Sequence, residues 1–249
     1  MKRIVSLFLG AVAFMTRLPV PQKMQCRPDA LSNVAVFFPL VGLLVGGGAI
    51  ILNHVFSRVV AHEVVIVLVL IFLVAVTGGF HEDALADAAD GFGGGWGKDQ
   101  ILTIMQDSRV GSFGALAIAL ALLARFVFLS NIPANRFDSY LVAGQVTCRW
   151  TALPLAYFLP SAREKGGQGA RVAGKITTFT LITGTVLTVA IVGIALGVKA
   201  LWVVLAAVVI TGASGAYYRH RIGGITGDCL GATNQIAEVV VYFAGVVLQ

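Results

Sequence analysis

Charged side chains are scarce in this sequence, and their scarcity excludes an ordinary soluble domain. Only 12% of the 249 residues are Asp, Glu, Lys or Arg, whereas about a quarter is usual in soluble domains. The chain is strongly apolar, with a mean hydropathy of +0.88. Its apolar residues fall in blocks of roughly 17–25, the length at which a helix crosses the core of a bilayer. This pattern predicts an all-α, polytopic membrane helical bundle whose partner is the lipid bilayer.

Cysteine is also rare, and no basic surface stands out. Cys26, Cys148 and Cys229 are scattered through the chain, and their spacing forms neither a metal-binding motif nor a disulfide framework. The net charge of +6 is not gathered into the basic face or stripe that binds nucleic acid. We therefore predict no nucleic-acid partner and attribute the positive charge to membrane topology.

About seven apolar blocks are long enough, or nearly so, to cross a bilayer as helices, and the alternation typical of a membrane β-barrel is absent. A shorter block at residues 4–15 predicts a retained helix at the membrane interface, because TRLP follows it instead of a small-residue cleavage site. No long linker divides the chain, so residues 1–249 are interpreted as a single domain. The predicted spans cover residues 33–52, 64–80, 111–131, 139–160, 177–197, 200–217 and 236–248.

Lys and Arg are distributed unequally between the two sides of this arrangement. Most of the 18 precede the first span or fall in the connections after spans two, four and six. The positive-inside rule then places the N-terminus in the cytoplasm and the C-terminus outside. The segments 80–96 and 219–238 both face the cytoplasm in this topology. The glycine-rich basic connection 161–175 is predicted to be flexible, with closure over a phosphate as the alternative.

The segment 80–96 places carboxylates directly after an apolar block. In a helix over residues 81–91 each residue turns about 100°, so Asp83, Asp87 and Asp90 share one face, while His81 and Glu82 point elsewhere. Three neighbouring carboxylates repel one another, which favours a bound cation. Oxygen-only ligands favour Mg²⁺ when phosphate is also present. A solvated acidic face at the membrane boundary is the alternative interpretation.

Further polar residues lie on the same predicted side. Asp107 and Arg109 precede the third predicted span, where they either supply a metal ligand and a phosphate-binding guanidinium or cap the helix and anchor it at the interface. Asp228 follows several glycines and Glu238 lies at the mouth of the last predicted span; a second metal, a nucleotide or a plain turn fits this loop. Gly94 belongs to a glycine run that is predicted to let the backbone approach a ligand closely.

Two arginines fall within predicted spans. An unpaired charge near the middle of a bilayer is costly, so Arg149 is expected to meet a carboxylate of the site. Arg125 is nearer the end of its predicted span, and we expect its side chain to snorkel toward the interface. His81 precedes the acidic face, and it is predicted at most to contact residues of the site without binding the ligand itself.

Two long motifs closely resemble the adenosylcobinamide-GDP ribazoletransferase, or cobalamin synthase, family. They are FHEDALADAADGFGGGW at residues 80–96 and IMQDSRVGSFGALAIAL at residues 104–120. The chain departs from the expected Asp-Gly-Leu-Ala-Asp pattern at Ala84, which adds a methyl group. Shorter matches are TRLPVP at 16–21, FFPLVGLLVG at 37–46, CRW at 148–150, AREKG at 162–166 and GGITGDCLGATNQIAE at 223–238.

This resemblance implies a Mg²⁺-dependent transfer in the bacterial inner membrane. The adenosylcobinamide phosphate moiety of adenosylcobinamide-GDP passes to α-ribazole or α-ribazole 5′-phosphate, and GMP leaves. For this reaction, Asp83, Asp87 and Asp90 on the acidic face are expected to hold the metal. Arg109 and Arg149 are expected to contact phosphate oxygens. Asp107 or Glu82 accepts the proton of the attacking hydroxyl. Association with other cobalamin-assembly enzymes stays open. Gly94, Asp228 and Glu238 complete the expected substrate-binding set.

Two other functions compete with this interpretation. A CDP-alcohol phosphotransferase also sets aspartates around a divalent metal, but its motif requires Arg where this chain has Asp87. A cation transporter would place carboxylates within its spans and would show matching halves. Neither feature is evident in this sequence.

Overall fold

The computed structural model describes residues 2–21, 31–163 and 175–249. Within these ranges the regular elements are helices, and strand pairing is limited to one isolated bridge between Ser161 and Ile225. The prediction of an all-α fold is therefore confirmed. Most of the predicted flexible connection 161–175 lies outside the described residues, as does Cys26.

The chain forms twelve α-helices in these ranges. A 3₁₀ turn at Ala35–Phe37 precedes α3, and another at Gly197–Lys199 joins α10 to α11. The α-helices are α1 (Lys2–Met15), α2 (Leu31–Val34), α3 (Phe38–Phe56), α4 (His62–Thr77), α5 (Phe80–Gly94), α6 (Lys98–Ile104), α7 (Ser112–Asn131), α8 (Ala134–Trp150), α9 (Ala152–Phe158), α10 (Thr178–Leu196), α11 (Ala200–Ile222) and α12 (Gly227–Val247).

Several of these helices are long and apolar enough to cross a membrane. Four continuous helical segments in the described residues meet that condition, and α4 with α5 makes a fifth if this bent pair counts as one span. The prediction of about seven spans is not confirmed. One segment of 45 residues, Thr178–Ile222, takes in nearly all of both predicted spans 177–197 and 200–217, which are joined at Gly197, where φ is 59°. The four segments are Ser32–Phe56, Ser112–Asn131, Thr178–Ile222 and Gly227–Val247.

Two predicted spans have the wrong bounds. The block 139–160 is divided at Thr151 into α8 and α9. The final helix begins at Gly227 rather than near residue 236, so Asp228 and Glu238 lie on one helix. Polar residues such as Asn234 in the first half of α12 are buried between helices instead of facing lipid. Hydropathy alone therefore missed this half of the helix.

The centre of the bundle is formed by α8 and α12, which pack on each other and are flanked by α3, α5 and α7. Glycines permit the closest approaches, as is usual between membrane helices. A methyl group on Gly42 of α3 would overlap the backbone of Gln145 in α8, and one on Gly144 would overlap the ring of Tyr242 in α12. By contrast, α10 and α11 expose many large apolar side chains, as lipid-facing helices do.

The turn between α4 and α5 redirects the chain by 85°. Gly78 and Gly79 have φ values of 68° and 72°, a left-handed conformation that glycine adopts without a steric penalty. Arg17 covers this turn: its backbone N–H donates to the carbonyl of Val76 at 2.7 Å, and its side chain lies against Gly78. Because of this bend, α5 leaves the direction of α4 and packs between α7 and α12.

Candidate active site

The acidic helix α5 confirms the helix predicted over residues 81–91 and extends it to Gly94. Asp83 is exposed, Asp87 is half-buried and Asp90 is buried. Ala84 and Ala88 are buried on other faces, where the helix packs on its neighbours. The sequence therefore presents carboxylates along one side of α5 while small apolar residues hold the other sides in the bundle.

Asp90 joins α5 to the start of α7. Its carboxylate oxygens accept hydrogen bonds from the backbone N–H groups of Gly111 (2.7 Å) and Gly114 (2.8 Å). These donors have no partner within their own helix, so Asp90 caps α7 from a distance. The interpretation of Asp107 as the cap is wrong, because the N-cap position is Gly111 and it has no side-chain cap of its own.

Asp228 brings a second segment to the acidic face. The negative charges of Asp83, Asp228 and Asp90 all act on the carboxylate of Asp87. Asp83 and Asp228 also repel each other. The two polar segments 80–96 and 219–238 therefore converge on one region of the bundle.

Arg163 is the basic partner of this cluster, and residue patterns alone did not single it out. Its Nη2 donates to Asp228 Oδ2 at 3.3 Å, and its positive charge also acts on Asp87. It lies in the AREKG motif, in a connection that was predicted to be a flexible link. The available signal was the placement of AREKG and the Asp228 loop on one predicted side of the membrane.

The donor chemistry of this cluster fits a hard divalent cation. In the described parts of the chain, no three His, Cys, Asp or Glu side chains are arranged closely enough to form a metal-ligand group. Magnesium, however, is commonly held by one or two carboxylates together with phosphate and water rather than by a complete protein cage. Asp83, Asp87 and Asp228 offer such carboxylates, whereas both oxygens of Asp90 already accept backbone hydrogen bonds. The Mg²⁺ site stays a prediction.

Asp107 and Arg109 form an exposed pair with each other. Arg109 Nε donates to both carboxylate oxygens of Asp107, at 3.0 and 3.1 Å. These hydrogen bonds lower the pKa of Asp107 to about 2 and raise the pKa of Arg109. The structure shows no hydrogen bond or ion pair from either residue to the aspartates of α5.

Arg125 does not snorkel, and that expectation is wrong. Its side chain is only 1% exposed, and Nη1 lies 3.2 Å from Glu82 Oε1 and 3.6 Å from Glu238 Oε2. Glu82 also accepts a hydrogen bond from Gln235 at 3.3 Å. Two buried carboxylates make a buried guanidinium tolerable. Glu82, predicted as a substrate-binding or proton-accepting residue, is thus committed to a buried network that joins α5, α7 and α12.

Arg149 meets an amide rather than a carboxylate. Its Nη1 donates to the backbone oxygen of Gln145 at 2.9 Å and to the side-chain oxygen at 2.7 Å. No ion pair joins Arg149 to a carboxylate among the described residues, so that expectation is wrong. Gln145 in turn donates to Glu238 at 2.8 Å. Glu238 lies buried within α12, not at a mouth of the membrane span.

The structure also places His81 and Gly94, two residues singled out in the sequence. His81 is buried and lines a narrow recess with Phe14, Phe80 and Asn234, behind the acidic face. Gly94 is the last residue of α5 and is exposed; a methyl group there would meet only Ile104, at 3.5 Å. The fold itself does not require glycine at position 94.

Comparison with known proteins places these features in a family. The family model described as cobalamin-5-phosphate synthase matches residues 7–246. A relative from Shewanella amazonensis is 39% identical, over 97% of this chain and 95% of its own length. Relatives from Ralstonia nicotianae and Vibrio parahaemolyticus are 36% and 33% identical, over 93% and 96% of this chain and 91% of each relative. All three relatives are named adenosylcobinamide-GDP ribazoletransferase.

No solved structure matches this chain. The family match covers the described helices and both long motifs of the acidic site. It also agrees with the apolar helices long enough to span a bilayer, as expected of a multi-pass membrane protein. The chain belongs to the cobalamin-5-phosphate synthase family.

Proposed function

We propose that this chain is a transferase that joins adenosylcobinamide-GDP to α-ribazole or α-ribazole 5′-phosphate. A ribose hydroxyl oxygen bonds to the phosphorus attached to cobinamide, and the bond from that phosphorus to the GMP phosphate breaks. GMP leaves, and adenosylcobalamin or its 5′-phosphate forms. The observation that carries the proposal is the match of nearly the whole chain to relatives named for this activity.

We assign the acidic face as the place where the diphosphate binds. Bound there, Mg²⁺ supplies positive charge that offsets the charge developing on departing GMP. Asp83 and Asp87 are the carboxylates of α5 available to it, and Asp228 is the neighbouring carboxylate from α12. Asp90 was predicted as a third ligand; its hydrogen bonds to α7 give it the added task of fixing α5 against that helix.

The proton of the attacking hydroxyl requires a carboxylate with a free lone pair. Asp107 is a weak acceptor because its ion pair with Arg109 lowers its pKa to about 2. Glu82 is buried, and its Oε1 accepts hydrogen bonds from Arg125 and Gln235, so a hydroxyl at the exposed part of the acidic face does not reach it. These contacts favour Asp83, the exposed carboxylate of α5, as the proton acceptor through an oxygen lone pair that the metal does not use.

We further propose that the protein resides in a bacterial inner membrane with this site facing the cytoplasm. The excess of Lys and Arg on the side that carries both polar segments supports that orientation. Whether other cobalamin-assembly enzymes associate with the protein is a separate question, to be answered by co-purification.

The direct test supplies purified protein in nanodiscs with adenosylcobinamide-GDP, α-ribazole and MgCl₂. We expect equal amounts of GMP and corrinoid product by chromatography, and no product when EDTA replaces MgCl₂. Release of CMP from a CDP-alcohol, or metal uptake by proteoliposomes without corrinoid product, would instead identify one of the competing functions. Product formation that is unaffected by EDTA would remove Mg²⁺ from the proposal.

A further inference from the structure

The backbone around Arg163 is held in a defined position by contacts with the start of α12. Ala162 N–H donates to the carbonyl of Ile225 at 2.9 Å, and Ile225 N–H donates to the carbonyl of Pro160 at 2.9 Å. A methyl group on Gly224 would overlap this backbone. The short bridge between Ser161 and Ile225 therefore places Arg163 next to the acidic region.

A side chain reinforces this placement. Ser161 Oγ donates to the carbonyl of Arg163 at 2.9 Å and accepts from its N–H at 3.3 Å. Asp228 is fixed as well, because its Oδ2 accepts from Thr226 Oγ1 at 3.1 Å. Both partners of the Arg163–Asp228 pair are thus oriented by contacts of their own.

Part of the guanidinium of Arg163 has no hydrogen-bond acceptor. It contacts Asp228 through Nη2 alone, at 3.3 Å, instead of through the two-pronged geometry that arginine forms with a carboxylate. Its Nε is buried and has no hydrogen-bond partner. A buried donor without a partner is unusual in a folded protein and calls for a missing acceptor. The neighbours in this region, Asp87 and Asp228, are acidic, and a Mg²⁺ ion held by them would keep coordination positions open for phosphate oxygens.

Arg109 and Arg149, which were predicted to contact phosphate, and Arg221, which lies near the end of α5, all have other contacts. Arg109 forms several hydrogen bonds with Asp107. Arg149 donates through Nη1 to Gln145; its Nε is also buried without a partner, but Arg149 has no contact to Asp83, Asp87 or Asp228 among the described residues. Arg221 donates to Tyr217 Oη and to the carbonyl of Gly95. In the described ranges, Arg163 is the guanidinium that combines a contact to the acidic cluster with an unpaired donor.

We propose that Arg163 is the phosphate-binding arginine of this site. Without a ligand, its guanidinium donates to Asp228. When a nucleotide phosphate binds, the guanidinium donates both to Asp228 and to a phosphate oxygen. The planar, permanently charged fork of arginine suits this double contact. The inference rests on the proposed function only in assuming that a guanosine phosphate binds at the acidic face. It assigns Arg163 a direct contact that neither the motifs nor the family name supplies.

The test separates nucleotide binding from metal binding. Binding of GMP and GDP in the presence of Mg²⁺ is measured by calorimetry on protein in nanodiscs, and binding of Mn²⁺ alone is measured by electron paramagnetic resonance. Arg163→Gln is expected to weaken nucleotide binding about tenfold or more. The same change removes positive charge from an acidic cluster, so Mn²⁺ binding is expected to stay equal or become tighter. Arg163→Lys keeps the charge but lacks the fork, and an intermediate nucleotide affinity is expected.

Arg136→Gln is the matched control, because Arg136 is exposed in the first turn of α8 and lies outside the site. It should leave both affinities unchanged. Nucleotide affinity in Arg163→Gln within twofold of the unaltered protein would overturn the inference. Parallel loss of nucleotide and Mn²⁺ binding, with a lower unfolding temperature, would also overturn it by showing a purely structural ion pair. Failure of the unaltered protein to bind nucleotide would count against the proposed function itself.

Discussion

Asp90 and Gly114 connect the acidic helix α5 to α7. The Asp90 Oδ1 atom accepts the backbone N–H of Gly114 at 2.8 Å, and a methyl group on Gly114 would overlap the same carboxylate. The absence of a side chain at Gly114 is therefore what lets α5 and α7 approach closely enough for this bond. One member of the acidic face thus serves the fold while the exposed members remain free for a ligand.

This division predicts different outcomes for two aspartates of α5. Asp90→Ala removes the cap of α7 and should lower stability by about 1–2 kcal/mol, the usual effect of losing a capping side chain. Asp83→Asn removes an exposed carboxylate and should change stability by less than about 0.5 kcal/mol. Thermal unfolding of both variants in the same detergent checks this prediction. Equal unfolding temperatures for the two variants would contradict the capping role.

The acidic face could be predicted because it depends on local helical periodicity. Asp83 and Asp87 are four residues apart, so one turn of helix aligns them whatever the rest of the chain does. The partners of Arg125 could not be predicted in this way, since Glu238 lies more than a hundred residues away in sequence and only the packed bundle brings the two together. The cap of α7 was missed for the same reason, because Asp90 precedes Gly111 by 21 residues.

The departure from the family motif at Ala84 has a structural counterpart in Gly231. Ala84 is buried and its methyl group faces Gly231 of α12, where a second methyl group would overlap it. Gly231→Ala should destabilise the protein by about 1–3 kcal/mol, as overpacking of a core does. The additional substitution Ala84→Gly removes the overlapping methyl group and should restore most of the lost stability.

The matched control for this pair is Gly47→Ala. Gly47 also lies within a helix, but no atom lies within 4 Å of a methyl group added there. This change should be neutral or slightly stabilising, because alanine favours helix more than glycine does. A Gly231→Ala variant as stable as Gly47→Ala would show that α5 and α12 are less closely packed than the structure indicates.

The buried network around Arg125 should behave as a unit. Arg125→Met leaves Glu82 and Glu238 buried without their cation, and removing one partner of a buried ion pair typically costs about 3–5 kcal/mol. Thermal unfolding and the yield of folded protein in detergent measure this loss.

A compensated variant distinguishes lost charge balance from lost packing. Replacing Arg125 by Met together with Glu82→Gln and Glu238→Gln removes all the charges of the network at once. We expect this triple variant to be clearly more stable than Arg125→Met alone, because no carboxylate is then left unpaired. If the triple variant is no more stable than Arg125→Met, the ion pairs are not what the substitution disrupts.

Asp87 feels the negative charges of Asp83, Asp228 and Asp90. Asp87→Asn should lower metal-dependent release of GMP more than about a hundredfold, since even residues that only support a metal ligand are worth 10–100-fold in affinity or activity. The substitution also removes one of several like charges, so the unfolding temperature should stay equal or rise. Loss of activity with undiminished stability would place Asp87 at the metal. Near-normal turnover by folded Asp87→Asn protein would exclude Asp87 from the metal site.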